Sequence, residues 1–414
     1  MRNKIIHSIA FTILVPATAA FAGGYVIPNE NARELSLSQS AVANQTGPEA
    51  LFLNTAALAG PEGLAITVSG EILTNRTTWS DPAMGSASII PQYTTPPNAA
   101  VSFGTHLGND MAWGIGAGLT VPAGGALYWP DGWQGQEFIQ TVEQRVFMIG
   151  FGGAFQPLPG VKLGATFLRY QATEELHQSL NFLDHQADGG ISLSGGANSF
   201  GLSLEVKVPT VPLTFGVHYT HAGTLHIEGD AHFEGVPVQF SPLIHDQAVT
   251  EVLPIPNILT AGAAYAIQPN ITVTGAYTFE KWDRYTDDTF VGSDGFTVVV
   301  DRNYRNAHVV RAGVEWQLAA FPALTVRGGG LRSISDQPTD TVSPSLSDGS
   351  SWAYSIGAGY NILRTLRADF GYQHAIFDKV TATGTEAFPG TYQTHVDLFS
   401  FGINWRTDLG LASK

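Results

Sequence analysis

Cysteine is absent from this chain. That excludes a disulfide framework and any thiolate metal site, though not an export route. Charge is scarce as well: 13% of the 414 residues are Asp, Glu, Lys or Arg, against 44% hydrophobic residues. The balance is acidic, 35 Asp and Glu to 20 Lys and Arg, for a net charge of −15. No nucleic-acid partner is expected, because a phosphate backbone needs a cationic face. Long apolar runs are also missing. Beyond the N-terminus no uninterrupted stretch reaches the ~20 residues a spanning helix needs. Low charge without such runs is unusual for a soluble enzyme. It suits a wall that is apolar on one face only.

What the sequence does contain points the same way. There are 46 Gly and 23 Phe, a small-plus-aromatic mixture, and from about Leu64 to Trp405 apolar and polar residues alternate in blocks of roughly ten. Leu64, Ile66, Val68 and Ile72 share one face. Met111, Trp113, Ile115, Ala117, Leu119 and Val121 share another, and Phe147, Ile149, Phe151 and Phe155 a third. The pattern continues to Phe399, Phe401, Ile403 and Trp405. Aromatics fall at the ends of rows, where interfacial girdles would lie. About fourteen strands of this kind fit the length at ~25 residues each with connections. Short connections (157–160, 209–212, 268–270, 321–322) alternate with long polar ones over 75–97, 122–140, 173–195, 229–252, 284–303, 333–350 and 378–392. A sheet in lipid must close on itself, since open edges leave backbone groups unpaired. The expected fold is therefore all-β, a transmembrane antiparallel β-barrel. A soluble β-sandwich would need neither an export signal nor so many girdle aromatics.

Such a signal is present. Arg2 and Lys4 form a positive n-region, Ile5 to Val15 an apolar h-region, and Ala20-Phe21-Ala22 an Ala-x-Ala site. The expected organisation is a signal peptide over 1–22, a plug over 23–60, a barrel over 61–406 and a short extension over 407–414. The plug is inferred from Ala41 to Gly60, which is apolar, small-residued and full of breakers but keeps neither strand nor helix period. A wall built around a plug suggests controlled passage of something across a membrane.

In order along the chain, several pieces resemble the FadL/TodX family of outer-membrane transporters for long-chain fatty acids and other hydrophobic compounds. Phe52-Leu53-Asn54-Thr55-Ala56-Ala57-Leu58 sits where that family carries an Asn-Pro-Ala hatch motif. Leu253-Pro254 with Gly262, Tyr265, Tyr277, Trp282 and Tyr285 is similar to its middle run. Tyr304-Arg305-Asn306, Arg327-x-Gly329, Pro338, Pro344, Asp348 and Gly357-x-Gly359-Tyr360 are similar to its C-terminal half. The resemblance covers the mature chain, with two departures: Thr55 replaces the hatch proline, and the chain runs past Trp405 to Lys414. It implies a monomeric fourteen-strand barrel in outer-membrane lipid, without cofactor or energy source. Loops would capture a hydrophobic small-molecule ligand, the lumen would bind it, and a gap in the wall would release it sideways.

Particular residues then become candidates. For the hatch they are Phe52, Asn54, Thr55 and Ala56. Gly114, Gly116 and Gly118 leave the inner face of the third strand bare, and the family's lateral opening lies at that strand, so they are the candidate gate. Packing against a filled lumen is the other reading. If Val310, Val314 and Trp316 face lipid, then Arg311, Glu315, Arg327, Arg367 and Asp369 face inward. Arg311, Arg327 or Arg367 would hold a carboxylate by paired hydrogen bonds; the alternative is an ion-pair ladder with Glu315 and Asp369. Tyr128, Trp129, Trp133 and Phe138 are loop aromatics by position and could form a capture groove. Of the histidines His218, His221, His226, His232 and His245, only His218 and His226 share lumen parity. They are too far apart for one ion, so no metal is expected. A general porin, an adhesin and a barrel-embedded lipid hydrolase remain alternatives. The plug argues against the first, modest loops against the second, and the lack of a nucleophile motif against the third.

Overall fold

The computed structural model describes residues 31–107, 111–182, 185–221, 223–335, 337–384 and 388–407. The expected signal peptide, the first residues of the expected plug and the expected C-terminal extension beyond 407 lie outside the described residues.

Fourteen antiparallel wall strands close into a barrel. They are β1 (Gly63–Asp81), β2 (Pro97–Leu107), β3 (Met111–Tyr128), β4 (Thr141–Leu158), β5 (Val161–Asn181) and β6 (Gln186–Lys207). Four strands follow in two pieces each: β7 (Leu213–Thr220, Gly223–Glu234), β8 (Gln247–Ile255, Asn257–Gln268), β9 (Ile271–Lys281, Asp287–Gly292) and β10 (Thr297–Asp301, Ala307–Gln317). The last four are β11 (Leu324–Ile334), β12 (Ser351–Leu363), β13 (Leu366–Phe377) and β14 (Gly390–Thr407). Each strand pairs with its neighbour, and β14 returns to β1 from Leu64↔Thr407 to Ser80↔Thr391, so the sheet has no free edge along that join. The break in β8 falls at Pro256, which has no N–H to give the ladder.

Several tight turns lie at one end. Pro159-Gly160 and Pro269-Asn270 each join two strands directly, with Gly160 at φ +78°, a conformation glycine adopts without penalty. The long connections gather at the other end. The expected loop over 173–195 turns out to be largely strand, with β5 running to Asn181 and β6 starting at Gln186, and the one over 122–140 is strand as far as Tyr128. The physical reason is a reversal of polarity along each strand. At membrane height the exposed faces are apolar, with Val68, Ile115, Phe151, Phe167 and Ile356 each more than half or about half exposed. Higher up, water replaces lipid outside and the apolar residues turn inward: Leu176, Leu193, Leu225, Ile227 and Leu253 are buried, while Ser192, Ser194 and Glu228 are exposed. The period-2 rule holds throughout, but the apolar face changes sides.

Two local irregularities shift residues off the expected rows. A bulge between Thr120 and Ala123 turns Val121 inward. The break in β7 puts His226 on the outer face while His218 stays buried, so the two do not share the lumen.

Residues 31–62 lie inside the wall. Short helices α1 (Ala32–Ser36) and α2 (Ala50–Leu53) and a 3-10 turn at Thr55–Leu58 fold across the lumen. Asn31 caps α1, its side-chain oxygen accepting from the Glu34 N–H at 2.9 Å. Glycines on the inner wall admit this segment closely. A Cβ on Gly114 would meet the Leu58 carbonyl, and one on Gly216 the Val42 carbonyl.

Candidate functional site: two chambers and a seam

The plug divides the lumen. Above it lies a narrow chamber with a cavity volume of about 160 Å³, lined by Val42, Phe52 and Leu53 of the plug and by wall residues including Met148, Leu168, Val309 and Phe377. Apolar atoms make up most of its surface, and its ionisable groups include Arg311, Glu280 and His218. Arg311 donates through Nη1 to the Thr278 hydroxyl, while its buried Nε has no hydrogen-bond partner. Glu280 lines the same chamber and accepts from the Trp282 indole at 3.1 Å. His218 is held by Ser203 at 2.8 Å and Thr220 at 3.1 Å. Among the described residues no three metal-binding side chains gather.

Below the plug the cavity is wider, about 880 Å³, and polar. Here Arg327 donates to Glu315 and to Asp369, both at 2.7 Å. Arg33 of the plug reaches Glu315 at 3.0 Å, and Arg367 reaches Asp369 at 3.1 Å. So four of the expected inward charges, Glu315, Arg327, Arg367 and Asp369, form one brace that ties plug to wall. Of the three arginines read as carboxylate ligands, only Arg311 faces the apolar chamber; Arg327 and Arg367 belong to this brace.

The hatch residues anchor the partition. Asn54 is fully buried and its Nδ2 donates to the Val42 carbonyl at 2.6 Å, tying two turns of the plug together. Thr55, where the family motif has proline, gives its N–H to Ser203 Oγ at 3.0 Å, a bond proline could not make. Its hydroxyl also meets the Leu51 carbonyl and Thr166. Ala56 sits against Gly164 of β5, whose missing Cβ makes the contact possible. Phe52 packs toward Gly118 and Gly150.

Gly114, Gly116 and Gly118 therefore abut the plug, and all three pair on both sides, with Gly104, Ser102 and Ala100 of β2 and with Ala154, Gly152 and Gly150 of β4. The unpaired wall begins just above them. β2 starts only at Pro97, so from Thr120 upward β3 keeps a ladder with β4 alone. The space toward β1 is filled by residues 89–96, which meet β1 at Leu73↔Thr94 and Thr74↔Tyr93 and through backbone hydrogen bonds from Glu71 to Pro96 at 3.3 Å and from Ile89 to Thr77 at 3.0 Å. Across this seam run two hydrogen bonds, Ile90 N–H to the Tyr128 carbonyl at 2.7 Å and Asn75 Nδ2 to the Ala126 carbonyl at 3.1 Å. Pro122, in the bulge on β3, lines the upper chamber directly beside it.

The mouth is closed from outside. Residues 337–348, between β11 and β12, fold inward as a lid, with Val342 and Leu346 fully buried. Trp129 Nε1 donates to the Pro344 carbonyl at 3.2 Å and Arg302 to Ser343 Oγ at 3.3 Å, while Thr341 Oγ1 donates to the Arg302 carbonyl at 3.0 Å. Burial pushes the phenols of Tyr285 and Tyr304 beside Arg302 well above their ordinary range, so both stay neutral. The aromatics expected as an exposed groove are mostly interior. Trp129 and Trp133 stack at 4.3 Å and are buried, Phe138 packs on Phe388 at 5.2 Å, and Tyr128 is half-buried. Their apolar mass outweighs exposure to water once β3 continues above the membrane. Sequence reasoning missed the lid, whose two apolar anchors sit among serines and prolines without any period.

The sequence matches the profile of a family described as outer membrane protein transport protein (OMPP1/FadL/TodX) over residues 13–407. No curated protein matches it. Among solved structures it is similar to a Pseudomonas aeruginosa FadL homologue, with TM-score 0.81 and 15% identity, covering 92% of this chain and 99% of that one. It is also similar to the P. putida toluene transporter TodX, with TM-score 0.74 and 15% identity over 91% and 98% of the two chains. For the Ralstonia pickettii toluene transporter TbuX the TM-score is 0.64 and the identity 16%, over 90% and 97% of the two chains. At such identities the likeness concerns the fold.

Proposed function

The chain belongs to the outer membrane protein transport protein family (OMPP1/FadL/TodX), and on that premise we propose that it carries hydrophobic molecules of fatty-acid or hydrocarbon type inward as a monomer, passively, and releases them sideways into outer-membrane lipid. The family and the barrel fold indicate the bacterial outer membrane and transport of hydrophobic compounds. The route runs under the lid, into the chamber above the plug, and out through the seam between residues 89–96 and β3. Arg311 is the residue suited to hold a polar end of the ligand, because its Nε is buried without an acceptor and such a donor is costly to leave unmet.

The observation that carries this reading is the seam. An apolar chamber meets the wall at the stretch where laddered pairing stops, and the plug blocks the way straight down. The natural absence of cysteine makes the test clean. Tyr93, which is 74% exposed, and Ala126 are replaced by Cys and joined across the seam with a reductant-cleavable linker. Uptake of a hydrophobic probe should fall sharply when bridged and recover on reduction. Undiminished uptake in the bridged protein would move the exit elsewhere.

A further inference from the structure

Between lid and chamber the lumen narrows through a group of buried polar side chains that the route above does not use. Gln144 on β4 and Glu174 on β5 point inward four residues above the chamber liners Met148 and Tyr170, about 13 Å along the strands. Glu251 on β8 reaches across the lumen so that its carboxyl lies against that of Glu174. Asp288 on β9 is committed to Arg302 at 2.6 Å, and Arg302 also holds the lid. Around them the wall is apolar: Val146, Ala172, Leu193, Ile227 and Leu253 are all buried.

The chemistry of the uncommitted atoms is specific. Gln144 stands directly opposite Glu174 in the β4–β5 register, yet neither its Nε2 nor its Oε1 makes a well-aligned hydrogen bond, and the outer oxygens Glu174 Oε2 and Glu251 Oε2 make none either. Two carboxyls in contact share a proton, so the throat offers the Gln144 amide, a donor and an acceptor, beside a carboxyl pair, in a setting where each unmet group is costly. A carboxylate brings only acceptors and would face two acids. An ammonium brings only donors and leaves the Gln144 amide nitrogen unmet. A hydroxyl can accept from Gln144 and donate to Glu174 or Glu251. Farther in, the same oxygen could accept from Arg311 Nε.

We propose that Gln144, Glu174 and Glu251 form a head-group site that admits uncharged hydrophobic molecules bearing a hydroxyl, long-chain alcohols or phenols, and turns back ionised carboxylates. This rests on the transport reading above and narrows its substrate class. A fatty acid would pass the throat in its protonated form.

Three ligands of one chain length test it: 1-dodecanol, dodecane and laurate, competed at pH 8 against a fluorescent hydrophobic probe on the full-length protein in detergent. Wild type should bind dodecanol about tenfold more tightly than dodecane, with laurate weakest. Gln144→Met should lower dodecanol affinity about tenfold, to the level of dodecane, and leave dodecane unchanged. Glu174→Gln, which keeps the shape and removes one carboxyl of the pair, should narrow the gap between laurate and dodecanol. Equal binding of dodecanol and dodecane in wild type would mean that water alone fills the throat and would overturn the proposal. So would an equal loss of all three ligands in Gln144→Met, or laurate binding ahead of dodecanol. If none of the three binds, the transport reading falls with it; if they bind in the wrong order, only the hydroxyl site falls.

Discussion

The two sides of the plug are built from the same inward-facing strand positions, yet they differ in almost every property. The chamber above is narrow and largely apolar, with a single arginine whose Nε is unmet. The cavity below is several times larger, polar, and crossed by Arg33, Arg327 and Arg367 bound to Glu315 and Asp369. The difference separates two jobs that a list of lumenal charges would merge. Charges that meet each other hold the partition in place. The arginine left with an unmet donor is the one in a position to meet a ligand.

Removing the partition should have the largest effect. Without residues 31–60 the two cavities become one, and a barrel that is silent in a planar bilayer should conduct ions steadily while remaining folded. A deletion variant that inserts but stays silent would show that the segment does not seal the lumen. Next is the brace. Arg327→Met leaves Glu315 and Asp369 short of a partner in a buried setting, a change that costs about 3–5 kcal/mol. Thermal unfolding should show that loss, while ligand affinity in the upper chamber should hold. A parallel loss of affinity at unchanged stability would merge the two regions after all. The smallest effect belongs to the chamber. Arg311→Met should weaken uptake of 1-dodecanol and hardly that of dodecane, because its unmet Nε serves the hydroxyl only after the ligand has left the throat. Equal weakening of both would assign Arg311 to packing.

How far the sequence could be read follows the same division. The lipid-facing rows were legible because lipid imposes one rule at one height: Val68, Ile115, Phe151, Phe167 and Ile356 face outward as their period requires. The inward parity of Arg311, Arg327 and Asp369 came from the same rule. The upper ends of β5 and β6 were read as loops because their apolar face turns inward where water replaces lipid, so the alternation reverses its sense. The Thr55 departure in the hatch had a compensation that only the fold displays, since Thr166 and Ser203 are more than a hundred residues away. The throat was illegible for a similar reason. Gln144, Glu174, Glu251 and Asp288 come from four strands, and nothing local marks any one of them. The glycines expected as a gate serve close contact with Leu58 and Phe52, and pairing with β2 stops only above Leu119, a boundary no local pattern in the sequence marks.

The central claim is that a ligand occupies the space above the plug and leaves beside β3, never entering the cavity below. A crystal of the protein soaked with 1-bromododecane and measured at the bromine edge tests this most directly. Anomalous peaks should appear in the chamber lined by Phe52, Met148 and Phe377 and along the seam near Pro122, with none beneath Glu49. A peak among Arg33, Arg327 and Arg367, with the upper chamber empty, would contradict the account.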